Sequence, residues 1–481
     1  MTRRNAEAVQ AGRLANRRQF FKFLAGSPLL ALAYPALPAS WQQMVSMPSR
    51  RRAAGRRPTG IPCPDCGQDM VLPSAADLSR YPMQGIADPT DAQMNRFLEG
   101  QLEGQIVSSV EEAINVWDFE QTLHANNLPE HWAYLHMGVN DFETRRANRE
   151  GFQRLQFLPR RLGQDVTKVD TSVELFGRRW STPLFLCPVA ALMAYHTEGE
   201  SGAGRAARAR DILQLQSHVS SQSYEEISEA RGEPHWFQIY TTPDWNVNKR
   251  VIDRVEAAGC PVLVWTIDLL GGSNRELSRR SLSGEGTDGA FCQNCHQHKP
   301  DWRNPMRTGT EGPPGPRHPY TWDYVKRLKD ATAMKVVLKG IVTREDAELA
   351  VEHGADAIYV SNHGGRAEAS NRSTIEALPE VAAGVNGRVP ILIDSGVRRG
   401  GDIFKALALG ADAVGIGRPY VWGLGSFGQE GVAKVIQILL DEFSMTMRQA
   451  STRTVDQITS SYVREGRAPI MMRSNKLGFG L

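Results

Sequence analysis

His363, Asp268, Tyr240 and Lys339, together with Arg275 and Arg366, are residue types that can take a proton from a small anionic acid. Histidine is the natural general base, because its unperturbed pKa lies near ~6.5. A carboxylate such as Asp268 can fix the tautomer of that histidine and stabilise the imidazolium once it forms. Lys339 can hold negative charge that develops on a cofactor ring, and Arg275 and Arg366 offer planar forks for a substrate carboxylate. Two glycine-containing turns, Asp394-Ser395-Gly396-Val397-Arg398 and Gly417-Arg418-Pro419, read as a phosphate cradle. Glycine lets backbone approach an anion closely, and Arg398 and Arg418 supply charge-assisted bonds.

These residues are far apart in the chain, so the elements that carry them must converge. Short apolar strands are read at Leu184–Cys187, Leu213–Ser217, Trp236–Tyr240, Val262–Asp268, Val336–Lys339, Ala357–Ser361, Ile391–Asp394 and Ala413–Gly417. All but the fourth are followed within a few residues by a helical stretch, such as Arg344–His353 or Gly401–Leu409. Eight strand–helix units predict a closed (β/α)₈ TIM barrel, whose chemistry sits at the C-terminal ends of the strands. The polar residues named above fall at those ends. Between Asp268 and Tyr320 the chain is rich in Gly, Pro, Ser and Arg and is too long for an ordinary connection, so residues 281–318 are read as an insertion over the barrel mouth.

With these motifs in place, the sequence resembles the FMN-dependent α-hydroxy-acid oxidase/dehydrogenase family, of which glycolate oxidase and lactate oxidase are members. The resemblance rests on Ser361-Asn362-His363-Gly364-Gly365-Arg366, on Asp394 to Arg398, on Lys405 to Ala411 and on Gly417-Arg418-Pro419. It implies FMN as cofactor and an L-2-hydroxy acid as substrate, with oxygen, a quinone or a cytochrome as electron acceptor. It further implies that Pro188, Val189, Ala190, Ser217, Gln238 and Thr266 contact the flavin, with Lys339 facing one edge of the ring. Tyr240 would hydrogen-bond the substrate hydroxyl, Tyr134 would join Arg275 and Arg366 on the carboxylate, and the protein would be a homotetramer. Ala367-Glu368-Ala369, Ser395, Leu269-Leu270-Gly271-Gly272 and Leu135-His136-Met137 depart from the family pattern; Ser395 stands where the family commonly has glycine. The departures flank the chemical groups and bear on substrate choice.

The 481 residues are 41% hydrophobic and 23% charged, which excludes a disordered or collagen-like chain. Residues 1–60 hold eleven Lys/Arg against Glu7 alone; with a formal net charge of +3, that leaves the remaining 421 residues near −7. A basic leader on an acidic body does not suit a nucleic-acid binder. Asn16-Arg17-Arg18-Gln19-Phe20-Phe21-Lys22 precedes a short apolar run, the layout of a twin-arginine signal that would pass the protein through the Tat translocon to the periplasm. The expected organisation is therefore a signal peptide at 1–39, an irregular extension at 40–105, the barrel at 106–465 and a tail at 466–481.

Six cysteines are present. Cys187 and Cys260 are read as core residues, Cys260 closing a helix. Cys63 with Cys66, and Cys292 with Cys295, form two C-x-x-C pairs. Three readings stand: a Cys₄ zinc or iron site, a c-type haem at Cys292-x-x-Cys295-His296, or disulfides. Besides hydroxy-acid oxidation, a flavin- or phosphate-binding barrel without turnover and an isomerase or decarboxylase acting on a sugar phosphate are the competing functions. A base and a carboxylate clamp in one mouth argue against the first of these, and flavin absorbance would exclude the second.

Overall fold

The computed structural model describes residues 104–282, 304–306 and 320–466. The leader, nearly all of the extension, most of the insertion and all but Gly466 of the tail lie outside the described residues. So do the four expected metal ligands Cys63, Cys66, Cys292 and Cys295, and His296 of the alternative haem motif. In chain order the helices are α1 (Val116–Asn126), α2 (Pro129–His136), α3 (Glu143–Arg154), α4 (Gly199–Ala209), α5 (Tyr224–Arg231), α6 (Trp245–Ala257), α7 (Glu276–Leu282), α8 (Asp323–Ala331), α9 (Arg344–Glu352), α10 (Thr374–Val385), α11 (Gly400–Ala408) and α12 (Arg418–Gln449). The strands are β1 (Leu155–Phe157), β2 (Val173–Leu175), β3 (Arg178–Trp180), β4 (Leu184–Leu186), β5 (Leu213–Ser217), β6 (Trp236–Ile239), β7 (Val262–Thr266), β8 (Lys335–Ile341), β9 (Ala357–Val360), β10 (Ile391–Ile393), β11 (Ala413–Ile416) and β12 (Val463–Glu465).

Strands β4 to β11 close into one barrel, and each pairs in parallel with its neighbours. Side chains alternate across a strand, so each apolar run divides between two layers. Phe185, Leu213, Leu215, Val262, Val264, Val337, Tyr359 and Leu392 fill the barrel interior. Their sequence neighbours Leu186, Leu263, Leu338, Ile358 and Ile393 pack in a second cluster with helix residues such as Ala206, Ile252, Leu378 and Phe404. The hairpin β2–β3 adds Leu175 and Trp180 to the interior cluster, and Phe176 meets the ring of Trp236 at the start of β6. Truncating a wholly buried interior residue such as Leu392 to alanine costs about 2–5 kcal/mol.

Local sequence sets where the helices start. Ser223 with Glu226 and Ser373 with Glu376 form capping boxes on α5 and α10, and the Thr343 side chain caps α9. Three expectations are corrected in detail. The fourth barrel strand, β7, is followed by a short helix, α7, before the insertion. Lys339 lies inside β8 rather than at its end, because that strand continues past an irregularity at Gly340 to Ile341. Cys260 does not close a helix; it is buried in the turn between α6 and β7.

Candidate active site

Parallel pairing brings the strand ends to one level. Ser217 pairs with Gln238 across β5 and β6, and Thr266 pairs with Lys339 across β7 and β8. Just beyond those ends, Tyr240, Asp268, His363, Asp394 and Gly417 project into the connections, as the barrel architecture requires.

The base is held from both sides. His363 Nδ1 lies 2.9 Å from Asp268 Oδ1, and Tyr240 Oη lies 3.3 Å from His363 Nε2. An ionised carboxylate only accepts, so Nδ1 carries the proton and Nε2 keeps its lone pair toward the mouth. The second oxygen of Asp268 stands 3.5 Å from Lys339 Nζ, with both side chains buried. That approach needs Gly340: at φ 117° it adopts a backbone conformation open to glycine, and a Cβ there would sit 2.8 Å from Asp268 Cβ.

Electrostatics follow from the geometry. Burial alone would raise the Asp268 carboxyl, but Lys339 and His363 bring it down to about 2. Burial opposes the charge on Lys339, yet Asp268 and Asp394 hold its pKa above the usual lysine value. His363 is pushed down, mainly by burial and further by Lys339 and Arg366, against the pull of Asp268. Burial lifts the Tyr240 phenol to about 12. Around neutral pH the site therefore combines a neutral imidazole, an ionised carboxylate, a protonated phenol and a cationic lysine.

Beside the base, Arg366 donates to the carbonyl of Tyr134 and its guanidinium lies 4.4 Å from the centre of the Tyr134 ring. Arg275 Nε donates to the Arg366 carbonyl at 3.1 Å. Two guanidinium groups and a phenol converge from α2, the β7 connection and the β9 connection, a donor set suited to a carboxylate.

A cleft of about 770 Å³, its open mouth included, runs through the site. Tyr134, Pro188, Val189, Ala190, Ser217, Tyr240, Lys339, His363, Arg366, the stretch 394–398, Gly417 and Arg418 line it. Gln238, Thr266, Asp268 and Arg275 are not among the residues that line it. Gln238 Nε2 and Thr266 Oγ1 are buried without a hydrogen-bond partner among the described residues, and such groups are costly unless something satisfies them. With Lys339 they make a donor set that matches the carbonyl-bearing edge of a flavin ring. At the other end, burial first, and then crowding by Arg145, Arg366 and Arg398, holds the Arg418 guanidinium well below its usual pKa. A buried concentration of cations of this kind fits a phosphate. FMN presents both groups, and the residues fit it.

Sequence reading missed several features of the site. Arg418 donates to the carbonyls of Leu135 at 2.8 Å, Met137 at 2.9 Å and Gly364 at 2.9 Å, so it also ties α2 to the base-bearing turn. Cys187 lines the cleft, and the Tyr359 hydroxyl lies 3.2 Å from its sulfur and 2.8 Å from Asp394 Oδ2. Arg145 from α3 packs its guanidinium against both ring nitrogens of His136, at 3.0 and 3.2 Å. Only the unusual Leu135-His136-Met137 stretch gave any signal of this.

Among the described residues no cluster of three or more His, Cys, Asp or Glu side chains can hold a metal ion, and no helix is long and apolar enough to cross a membrane. The Cys₄ site expected from Cys63, Cys66, Cys292 and Cys295 falls wholly outside those residues. The two cysteines it does describe, Cys187 and Cys260, are buried free thiols.

Residues 124–465 match the family model described as FMN-dependent dehydrogenase. The chain is 36% identical over 360 residues to peroxisomal (S)-2-hydroxyacid oxidase GLO3 of Arabidopsis thaliana, covering 74% of this chain and 97% of that protein. It is 34% identical over 367 residues to L-lactate oxidase of Lactobacillus jensenii, covering 73% and 85% respectively. A solved structure of mandelate oxidase with 3,3-difluoro-2-hydroxy-3-phenylpropionic acid superposes with a TM-score of 0.66 at 34% identity, covering 74% of this chain and all of that one, 100%.

Proposed function

The chain belongs to the FMN-dependent dehydrogenase family, and on that premise we propose that it oxidises a small L-2-hydroxy acid to the 2-oxo acid. The observation that carries this reading is the imidazole of His363, held between Asp268 and Tyr240 beside a carboxylate clamp. Arg366, Arg275 and Tyr134 bind the substrate carboxylate and so fix which face of the α-carbon meets the cofactor. Tyr240 holds the substrate oxygen, and His363 Nε2 takes a proton from the substrate. Asp268 stabilises the imidazolium that results, which lowers the barrier to that transfer. FMN, when bound, would supply the two-electron oxidation, accepting the electron pair and the second hydrogen that the substrate loses. Pro188, Val189, Ala190, Ser217, Gln238 and Thr266 would hold its ring, Lys339 the negative charge that builds up there, and Asp394 to Arg398 with Gly417 and Arg418 its phosphate.

The names of the relatives favour dioxygen as electron acceptor over a quinone or a cytochrome. We carry the leader as a twin-arginine signal, the working compartment as the periplasm, and the assembly as a homotetramer. Cys63, Cys66, Cys292 and Cys295 are carried as a Cys₄ zinc or iron site, with haem at Cys292 and Cys295 as the alternative. Replacing both Cys292 and Cys295 by serine should then lower bound metal without removing flavin. The function is tested by incubating the purified protein with enantiomers of lactate and other 2-hydroxy acids and assaying the 2-oxo acid. Product from the L form alone supports the reading, and no product from any of them refutes it.

A further inference from the structure

We propose that Ser395 is a positioning residue for His363, its hydroxyl tying the turn that carries the base to the strand end that carries the phosphate cradle. The inference rests on the hydroxy-acid reading above. It starts from the turn itself. His363, Gly364 and Gly365 have φ of 60°, 69° and 74°, three successive residues in the left-handed region, where a side chain such as histidine is strained. Something must hold such a turn in place.

Each of its three amides has a side-chain acceptor. His363 N donates to Ser361 Oγ at 3.1 Å and Gly365 N to Asn362 Oδ1 at 3.0 Å. Both acceptors come from the turn's own residues, Asn362 being bonded in addition to Asn148 of α3. The middle amide differs: Gly364 N donates at 3.0 Å to Ser395 Oγ, which comes from beyond β10. The carbonyl of the same residue accepts from Arg418, so the Gly364 peptide is fixed from two neighbouring strand ends.

The Ser395 hydroxyl is itself oriented. It donates to Asp394 Oδ1 at 2.7 Å, while Asp394 Oδ2 accepts from the Tyr359 hydroxyl at 2.8 Å from within the barrel. With its one hydrogen committed to Asp394, the serine oxygen has lone pairs to offer Gly364 N. Ser395 is buried and has φ 78°, a conformation that glycine adopts without strain and serine does not. The side chain is thus held there at a cost in backbone strain. Its use is the hydroxyl. Asp268 sets the angle of the imidazole ring, and Ser395 sets the backbone from which the ring projects.

Two variants separate this role from a structural one. Ser395→Ala removes the hydroxyl and keeps the strained Cβ; Ser395→Gly removes both, so it relieves the strain and should fold at least as well as the alanine variant. As FMN-loaded enzymes, both should lose about 10- to 100-fold in kcat with a smaller change in KM, because the base is displaced while Arg366, though on the same segment, stays tied to the Tyr134 carbonyl. In both, hydrogen exchange over residues 361–366 of the holoenzyme should quicken. If activity instead follows stability, with the glycine variant retaining the parental kcat, or if exchange over 361–366 is unchanged, the proposal is overturned. The exchange measurement needs no substrate, so a parental enzyme inactive on every hydroxy acid would refute the function while the tether was still decided.

Discussion

Asp268 reaches His363 across 95 residues of chain, its Oδ1 2.9 Å from the imidazole Nδ1. The two residues extend from non-adjacent strands, β7 and β9, and the strand between them, β8, supplies Lys339 as counter-cation to the same carboxylate. Asp268→Asn keeps the shape and removes the charge. The tautomer of His363 is then no longer fixed and its imidazolium no longer stabilised, so kcat/KM should fall by about 10²–10⁴-fold. Steady-state assays on the FMN-loaded variant check this; a change of less than about threefold, well below what a general base contributes, would mean that the pairing is structural only.

The pH dependence follows from the same pair. The active form of His363 is neutral, and its pKa is lowered, by burial first and then by Lys339 and Arg366. Protonation therefore requires a lower pH than for a free imidazole, and the acid limb of kcat/KM should lie below the ordinary histidine value of ~6.5. Asp268, down at about 2, stays ionised across that range and opposes the shift. Removing it should move the limb to lower pH still. A limb that moves upward in Asp268→Asn contradicts these assignments.

Arg398 and Arg418 should part company when each is replaced by alanine. Both should weaken FMN retention, because each would lose the charge-assisted phosphate contact proposed for it. Arg418 also serves three backbone carbonyls, whereas Arg398 donates to the carbonyl of its own neighbour Val397 at 2.8 Å and stacks its guanidinium 4.7 Å from the Trp422 ring. Arg418→Ala should therefore also destabilise the apoprotein, by about 2 kcal/mol or more, and Arg398→Ala by less. Flavin content after dialysis and thermal unfolding of the apoproteins check both halves; equal losses of stability would count against the tie role of Arg418.

Export is tested at the leader. Arg17→Lys with Arg18→Lys should leave folded, yellow protein in the cytoplasm, still active on its acid, because a phosphorylated flavin loads before a folded protein crosses. Normal export of the double variant would exclude the twin-arginine route.

The barrel was legible in the sequence because six of the eight apolar runs end in a polar residue, and an eightfold strand–helix alternation leaves little freedom in where those ends meet. Leu392 and Ile393 show why: adjacent in the chain, they pack in different layers, and the alternation alone assigns them. Partnerships between strand ends were not legible. Nothing local in Arg418 announces that it serves carbonyls from α2, and nothing in Ser395 announces its bond to Gly364. The short antiparallel pair β1–β12, which joins Leu155–Phe157 to Val463–Glu465, was likewise invisible, since three-residue strands carry no period. Helix α7 was hidden for a related reason: Glu276–Leu282 is too short for an apolar stripe to emerge.

The most direct test is rapid anaerobic mixing of the FMN-loaded enzyme with L-lactate or another L-2-hydroxy acid, following flavin absorbance in the parental chain and in His363→Ala. The account predicts that the parental flavin bleaches and that the variant retains its flavin but bleaches at least about 10²–10⁴-fold more slowly. Bleaching of the variant at the parental rate, or a parental flavin that no L-2-hydroxy acid reduces, would contradict it.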